Sequence, residues 1–147
     1  MKKSCYLLTV VAIALAMLFA LGSCSDKNET NETTGQTEIT YAAGSVNKLG
    51  SGENQFNLEV VDKQGKSYKF NINTDKTIVG EALEELGLIK GTEGDYGLYV
   101  TEVNGIVADY SIDGTYWAFY INGATASAGV DQTNIENGAI YALRVEK

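Results

Sequence analysis

The chain is 147 residues long, enough for one folded domain, and carries a net charge of −8 from 19 acidic and 11 basic residues. An acidic chain without a basic stripe is repelled by nucleic-acid phosphates and has no polybasic grip on anionic lipid, so neither partner class is expected. It contains no His and no Pro, 16 Gly and two Cys, which removes the commonest general base and metal ligand at the outset.

Lys2 and Lys3 open a short positive region, and Tyr6 to Leu21 is apolar apart from Thr9 and the Tyr6 hydroxyl. This core is somewhat shorter than the roughly 20 residues a membrane span needs. It ends in Leu21-Gly22-Ser23-Cys24. A positive start, an apolar core and a small-residue cleavage site define a secretory signal peptide over residues 1–23. Leu-Gly-Ser-Cys resembles the bacterial lipobox, which implies cleavage before Cys24 and a diacylglyceryl group on its thiol. Two acyl chains hold a protein stably where one does not, so the expected location is the extracytoplasmic face of a bacterial membrane, lipid-anchored. Cys5 leaves with the leader, so the mature chain has no disulfide. Loss of the leader lysines also takes the net charge to about −10.

Residues 24–54 are rich in Ser, Thr, Asn, Glu and Gly. Such a stretch buries too little apolar surface to offset its chain entropy, and it reads as a flexible tether spanning roughly 30 Å. Its few apolar residues, Ile39, Tyr41 and Val46, offer at most one additional strand.

Residues 55–147 read as the folded domain. Phe56 to Val61 and Ser67 to Ile72 alternate apolar and polar, separated by Asp62-Lys63-Gln64-Gly65, which predicts a hairpin with Phe56, Leu58, Val60, Tyr68, Phe70 and Ile72 inward. Thr77 is placed to cap a helix from Ile78 to Leu86. Ile78, Val79, Ala82, Leu83 and Leu86 form one apolar stripe, with Glu81, Glu84 and Glu85 facing water and Gly87 as the left-handed stop. Lys90 to Asp95 reads as a polar loop and Leu98 to Val103 as a strand, with Asn104-Gly105 turning into Ile106 to Ala108. Asp109 to Gly114 reads as a loop. Thr115 to Ile121 alternates as a strand, Trp117, Phe119 and Ile121 on one face, Tyr116, Ala118 and Tyr120 on the other. Asn122-Gly123 is a strong hairpin signal. Ala124, Thr125, Ala126, Ser127, Ala128 and Gly129 follow as a small, uncharged loop, and Ala139 to Val145 is the last strand. Strand, strand, helix and further strands describe an α+β domain, a β-grasp-like mixed sheet with one helix.

Catalytic chemistry is not expected. No thiol is left free, the serines lack a partner base, and Asp62, Asp75, Asp95, Asp109, Asp113 and Asp131 sit at turns, where solvated caps are the ordinary role. Asp109 to Gly114 lacks the alternating acidic ligands and terminal Glu of a calcium loop, so neither a metal nor a cofactor is expected.

The order Thr115-Tyr116-Trp117, Phe119, a short small-residue loop, Gly129-Val130, a polar turn, Asn137-Gly138 and a final strand resembles the transcobalamin-like C-terminal domain. Tyr96-Gly97-Leu98-Tyr99-Val100 followed by Val103-Asn104-Gly105 resembles its bacterial lipoprotein members. The resemblance implies a β-grasp fold. It also implies a role for the loop after the Tyr-Trp strand, which in the animal cobalamin carriers reaches one face of the corrinoid. The sequence departs from those carriers in having no large helical domain and no His to ligate cobalt. The expected ligand-binding residues are Tyr116, Trp117, Tyr120 and Asn122 through Gly129, namely Asn122, Gly123, Ala124, Thr125, Ala126, Ser127, Ala128 and Gly129. For Trp117, its alternation with Phe119 and Ile121 favours core burial over ligand contact. The expected function is a tethered binding lipoprotein for a corrinoid-like small molecule. The alternative is an adhesion or assembly module docking a protein or glycan partner along a sheet edge.

Overall fold

A computed structural model describes residues 40–147. The expected signal peptide, Cys24 and the start of the 24–54 segment lie outside the described residues.

The first hairpin pairs β2 (Asn54–Val61) antiparallel with β3 (Ser67–Thr74), setting Phe56 against Ile72, Leu58 against Phe70 and Val60 against Tyr68. All six side chains are buried, as a half-buried period-2 strand pair requires. The turn is held by Asp62, whose Oδ1 accepts from the backbone N–H of Gln64 at 2.8 Å and of Lys66 at 2.9 Å.

The fold begins upstream of Gln55, in the stretch read as tether with at most one additional strand. β1 (Val46–Gly50) runs parallel to β3 along its outer edge. Ahead of β1, the Tyr41 ring meets Phe70 edge-on at 5.4 Å. The Tyr41 N–H donates to Asn104 Oδ1 at 2.7 Å, and Asn104 Nδ2 donates back to the Tyr41 carbonyl at 3.2 Å. A polar segment gains order here because the open ladder of β3 supplies backbone partners that the segment's own composition does not reveal.

The main helix, α1, covers Val79–Glu85 and is preceded by extended Ile78, with no side-chain cap. Thr77 therefore does not cap it. Instead the Val79 N–H donates to the Thr133 carbonyl at 2.9 Å, so a neighbouring chain segment supplies the acceptor. The end follows expectation. Gly87 has φ 65°, its N–H donates to Glu84, and the Leu88 N–H donates to Leu83. These are the paired bonds of a Schellman motif.

A second, three-stranded sheet contains β4 (Ile89–Gly94), β5 (Gly97–Val103) and β6 (Ile106–Val107). The expected polar loop at 90–95 is thus a strand. Only Ile89 of β4 is fully buried, so it leaves no alternation for periodicity to detect. Asn104 and Gly105, at φ 52° and 73°, make the turn into β6. A one-turn helix, α2 (Tyr110–Asp113), replaces the loop expected at 109–114, with the Asp109 side chain accepting from the Ser111 N–H.

β7 (Tyr116–Ile121), β8 (Ala124–Thr125), a 3-10 turn at Val130–Gln132 and β9 (Ile140–Glu146) complete the chain. The larger sheet has the order β1-β3-β2-β9-β7-β8 and is mixed: β9 lies parallel to β2 and antiparallel to β7. The molecule is α+β, with α1 as its main helix. Tyr141 lies in the core between Phe56 at 5.3 Å and Phe119 at 5.9 Å. Val79, Ala82 and Leu83 of α1 are fully buried. Each such apolar side chain contributes on the order of 1.5–3 kcal/mol relative to exposure, with Ala at less than that.

Candidate functional site

The pleat of β7 divides the expected site residues. Trp117 is 8% exposed and lies on the core face opposite Val145. It is a core residue, not a contact surface, because it shares its face with Phe119 and Ile121. Its indole Nε1 is buried without a hydrogen-bond partner among the described residues.

Tyr116 and Tyr120 share the outer face, and neighbouring charges occupy them. Both hydroxyls donate to Glu146, Tyr116 at 3.4 Å and Tyr120 in a short contact. The Arg144 guanidinium lies 5.1 Å from the Tyr120 ring centroid and bonds Glu59 at 3.2 Å, while the Ser67 hydroxyl donates to Glu59 at 2.9 Å. The bond to Glu146, with burial added, raises the Tyr120 pKa above its ordinary value. The two tyrosines are half-buried members of a cross-strand network, not the free aromatic pair that alternation suggested.

The turn is where the sequence places it, but Ala124 and Thr125, expected in the loop, pair back onto β7 as the short strand β8. Asn122 and Gly123 take φ 49° and 85°, the geometry of a tight primed turn. Asn122 also locks onto β9: its N–H donates to the Ile140 carbonyl at 2.7 Å and its Oδ1 accepts from the Ile140 N–H at 2.9 Å. Ala124, Thr125, Ser127 and Ala128 are exposed, while Ala126 and Gly129 are half-buried. The Ala126 N–H donates to Phe119 at 3.0 Å, and buried Val130 anchors the far end. The loop is therefore a small-residue backbone surface fixed at both ends. Among the described residues the shallow depressions lie elsewhere, and no loop residue lines them. One of about 480 Å³ runs between Gly50 and Leu86, and one of about 340 Å³ is lined by Val46, Asn57, Lys69 and Ile140.

Asp131 was not expected to matter beyond a turn. Its carboxylate wedges between Gly97 and Gly129, where a Cβ at either position would collide with it. Its Oδ1 is buried without a hydrogen-bond partner among the described residues. Gln132 Nε2 donates to the Tyr96 carbonyl at 3.2 Å, so the end of the loop is tied to the tip of the β4–β5 hairpin. The sequence signal was the glycine at 129 beside the acid, which also fits an ordinary turn. Among the described residues no group of three or more His, Cys, Asp or Glu is arranged to hold a metal ion.

Comparison with known proteins agrees with this architecture. Residues 75–140 match the model of a domain of unknown function, DUF4430. A structure from Ruminococcus gnavus ATCC 29149, described as a candidate metal binding protein, superposes with a TM-score of 0.61 at 28% identity, covering 65% of this chain and 98% of that one. Haptocorrin in complex with Cbi superposes with a TM-score of 0.54 at 22% identity, covering 64% of this chain but only 25% of haptocorrin. The fold is thus that of one part of the larger carrier. No curated protein matches the chain. The fold of the domain is therefore the one shared by these two structures, as the resemblance to the transcobalamin-like C-terminal domain implied.

Proposed function

We propose that the chain is a lipoprotein tethered through Cys24 to the extracytoplasmic face of a bacterial membrane, and that its domain captures a small molecule of corrinoid type at the Asn122–Gly129 loop. The observation that carries the ligand reading is the fold shared with haptocorrin, together with the loop after β7 standing exposed on a rigid hairpin. Small residues there let a flat ligand approach the backbone closely. We read the topology as β-grasp, on the grounds that the first hairpin is followed by α1 and that β9 returns parallel to β2. We read the domain as non-catalytic, since it offers no His and no free thiol.

Lipidation is tested by labelled palmitate: the wild-type chain incorporates it and Cys24→Ser does not. Label retained by the variant contradicts the tether. Ligand capture is tested by amide chemical shifts on addition of cobinamide. The expected shifts centre on Asn122 to Val130, and shifts confined to other regions sink the site.

A second reading has its own observation. Ala124 and Thr125 form a two-residue edge strand with exposed side chains. Such an edge is open to strand addition by a protein partner.

A further inference from the structure

Seven large apolar side chains are exposed among the described residues, and five of them fall between Tyr96 and Ile112. The three tyrosines differ from Tyr116 and Tyr120 in having free faces. Tyr96 is 95% exposed at the tip of the β4–β5 hairpin, Tyr99 is 41% exposed on β5, and Tyr110 is 67% exposed at the start of α2. Tyr99 and Tyr110 are neighbours, since the Tyr110 N–H donates to the Tyr99 hydroxyl oxygen at 3.3 Å. Backbone contacts already fix the supports: the Tyr96 carbonyl accepts from Gln132, and Asp109 caps α2. Exposed aromatics on a fixed scaffold present contact area at low entropic cost.

Along this stretch of the sequence the charge has one sign. Residues 91–143 contain seven acidic residues and neither Lys nor Arg. Glu102 is taken by Lys90 and Asp113 by Lys63. Asp95 on the hairpin and Asp109 beside Tyr110 make no ion pair among the described residues. Aromatic faces attract cations through the ring quadrupole, and unneutralised carboxylates strengthen that attraction. An acidic partner, a nucleic acid or an anionic lipid surface would be repelled by the same groups.

We propose that the surface formed by Asp95, Tyr96, Tyr99, Asp109 and Tyr110 docks a cationic polypeptide segment rich in Arg and Lys. This surface shares no residue with the loop assigned to small-molecule capture, although the hairpin tip meets the end of that loop through Asp131 and Gln132.

The test uses the full chain in non-ionic detergent, titrated with a hexa-arginine peptide near physiological salt. Four proteins are compared: wild type, Tyr96→Ser with Tyr110→Ser, Asp95→Asn with Asp109→Asn, and Glu81→Gln with Glu84→Gln on the exposed side of α1. The tyrosine pair leaves net charge unchanged, and the two acidic pairs change it equally. The expected result is amide shifts centred on residues 93–112. Affinity falls about tenfold in the tyrosine pair and in the Asp95 and Asp109 pair, and stays near wild type in the α1 pair. Equal loss in both acidic pairs with no loss in the tyrosine pair indicates generic attraction and overturns the proposal. Absence of binding, or self-association of the chain in place of peptide binding, overturns it as well.

Discussion

Asp62 and Asp113 set the acid limit of this domain. Burial pushes the Asp62 carboxyl up, but the N–H groups of Lys66 and Gln64 and the Tyr68 hydroxyl outweigh it and hold the pKa below 3.8. The Lys63 ammonium, followed by the Thr115 hydroxyl and N–H, holds Asp113 down to about 2. Both folded values lie below the unfolded value. The stabilisation is therefore fully present above 3.8 and is lost as pH falls through the folded values. Urea unfolding at stepped pH should show stability declining between about pH 4 and pH 2, with a shallower decline in Asp62→Asn. Asp62→Ala strands the Tyr68 hydroxyl and two backbone donors and should cost about 1–3 kcal/mol at neutral pH. A flat pH profile for the wild type contradicts this account.

Among the elements, α1 and the first hairpin follow from period alone, because each has one buried face and one wet face. The segments that differed lacked such a contrast. β1 is ordered by the edge of β3 and by Asn104, far away in sequence, and β4 buries one side chain fully. The expectation of a domain starting at Gln55 has a direct consequence. A chain beginning there lacks β1 and leaves Phe70 and the Asn104 amide without Tyr41. It should melt well below one beginning at Thr40, by an amount on the order of 2–5 kcal/mol. Equal melting temperatures show that residues 40–54 are dispensable. Gly80 gives a second test. Gly→Ala inside a helix ordinarily stabilises by about 1 kcal/mol. Here the added Cβ would stand 3.0 Å from the Asp131 Cα and N, which are backbone atoms and cannot swing aside. Gly80→Ala should therefore destabilise, by about 1–2 kcal/mol, in a chemical melt. A gain in stability means that the turn at Val130–Gln132 shifts easily.

For the molecule as a whole, the site was only partly legible. The loop at Asn122–Gly129 could be read because its turn chemistry is local. The engagement of Tyr116 and Tyr120 could not, because Glu59, Arg144 and Glu146 come from other strands. The free tyrosines at 96, 99 and 110 sit among strands too short or too irregular for alternation to assign a face. The small-residue loop follows β7, while exposed tyrosines with unpaired acids occupy the smaller sheet and α2. The central claim is that the loop binds a corrinoid-like molecule, and calorimetric titration of the full chain in neutral detergent with cobinamide tests it most directly, with Ser127→Arg as the paired variant. The account predicts saturable binding to the wild type and its loss when the exposed Ser127 position carries a long cationic side chain. A flat titration, or binding unchanged by Ser127→Arg, contradicts it.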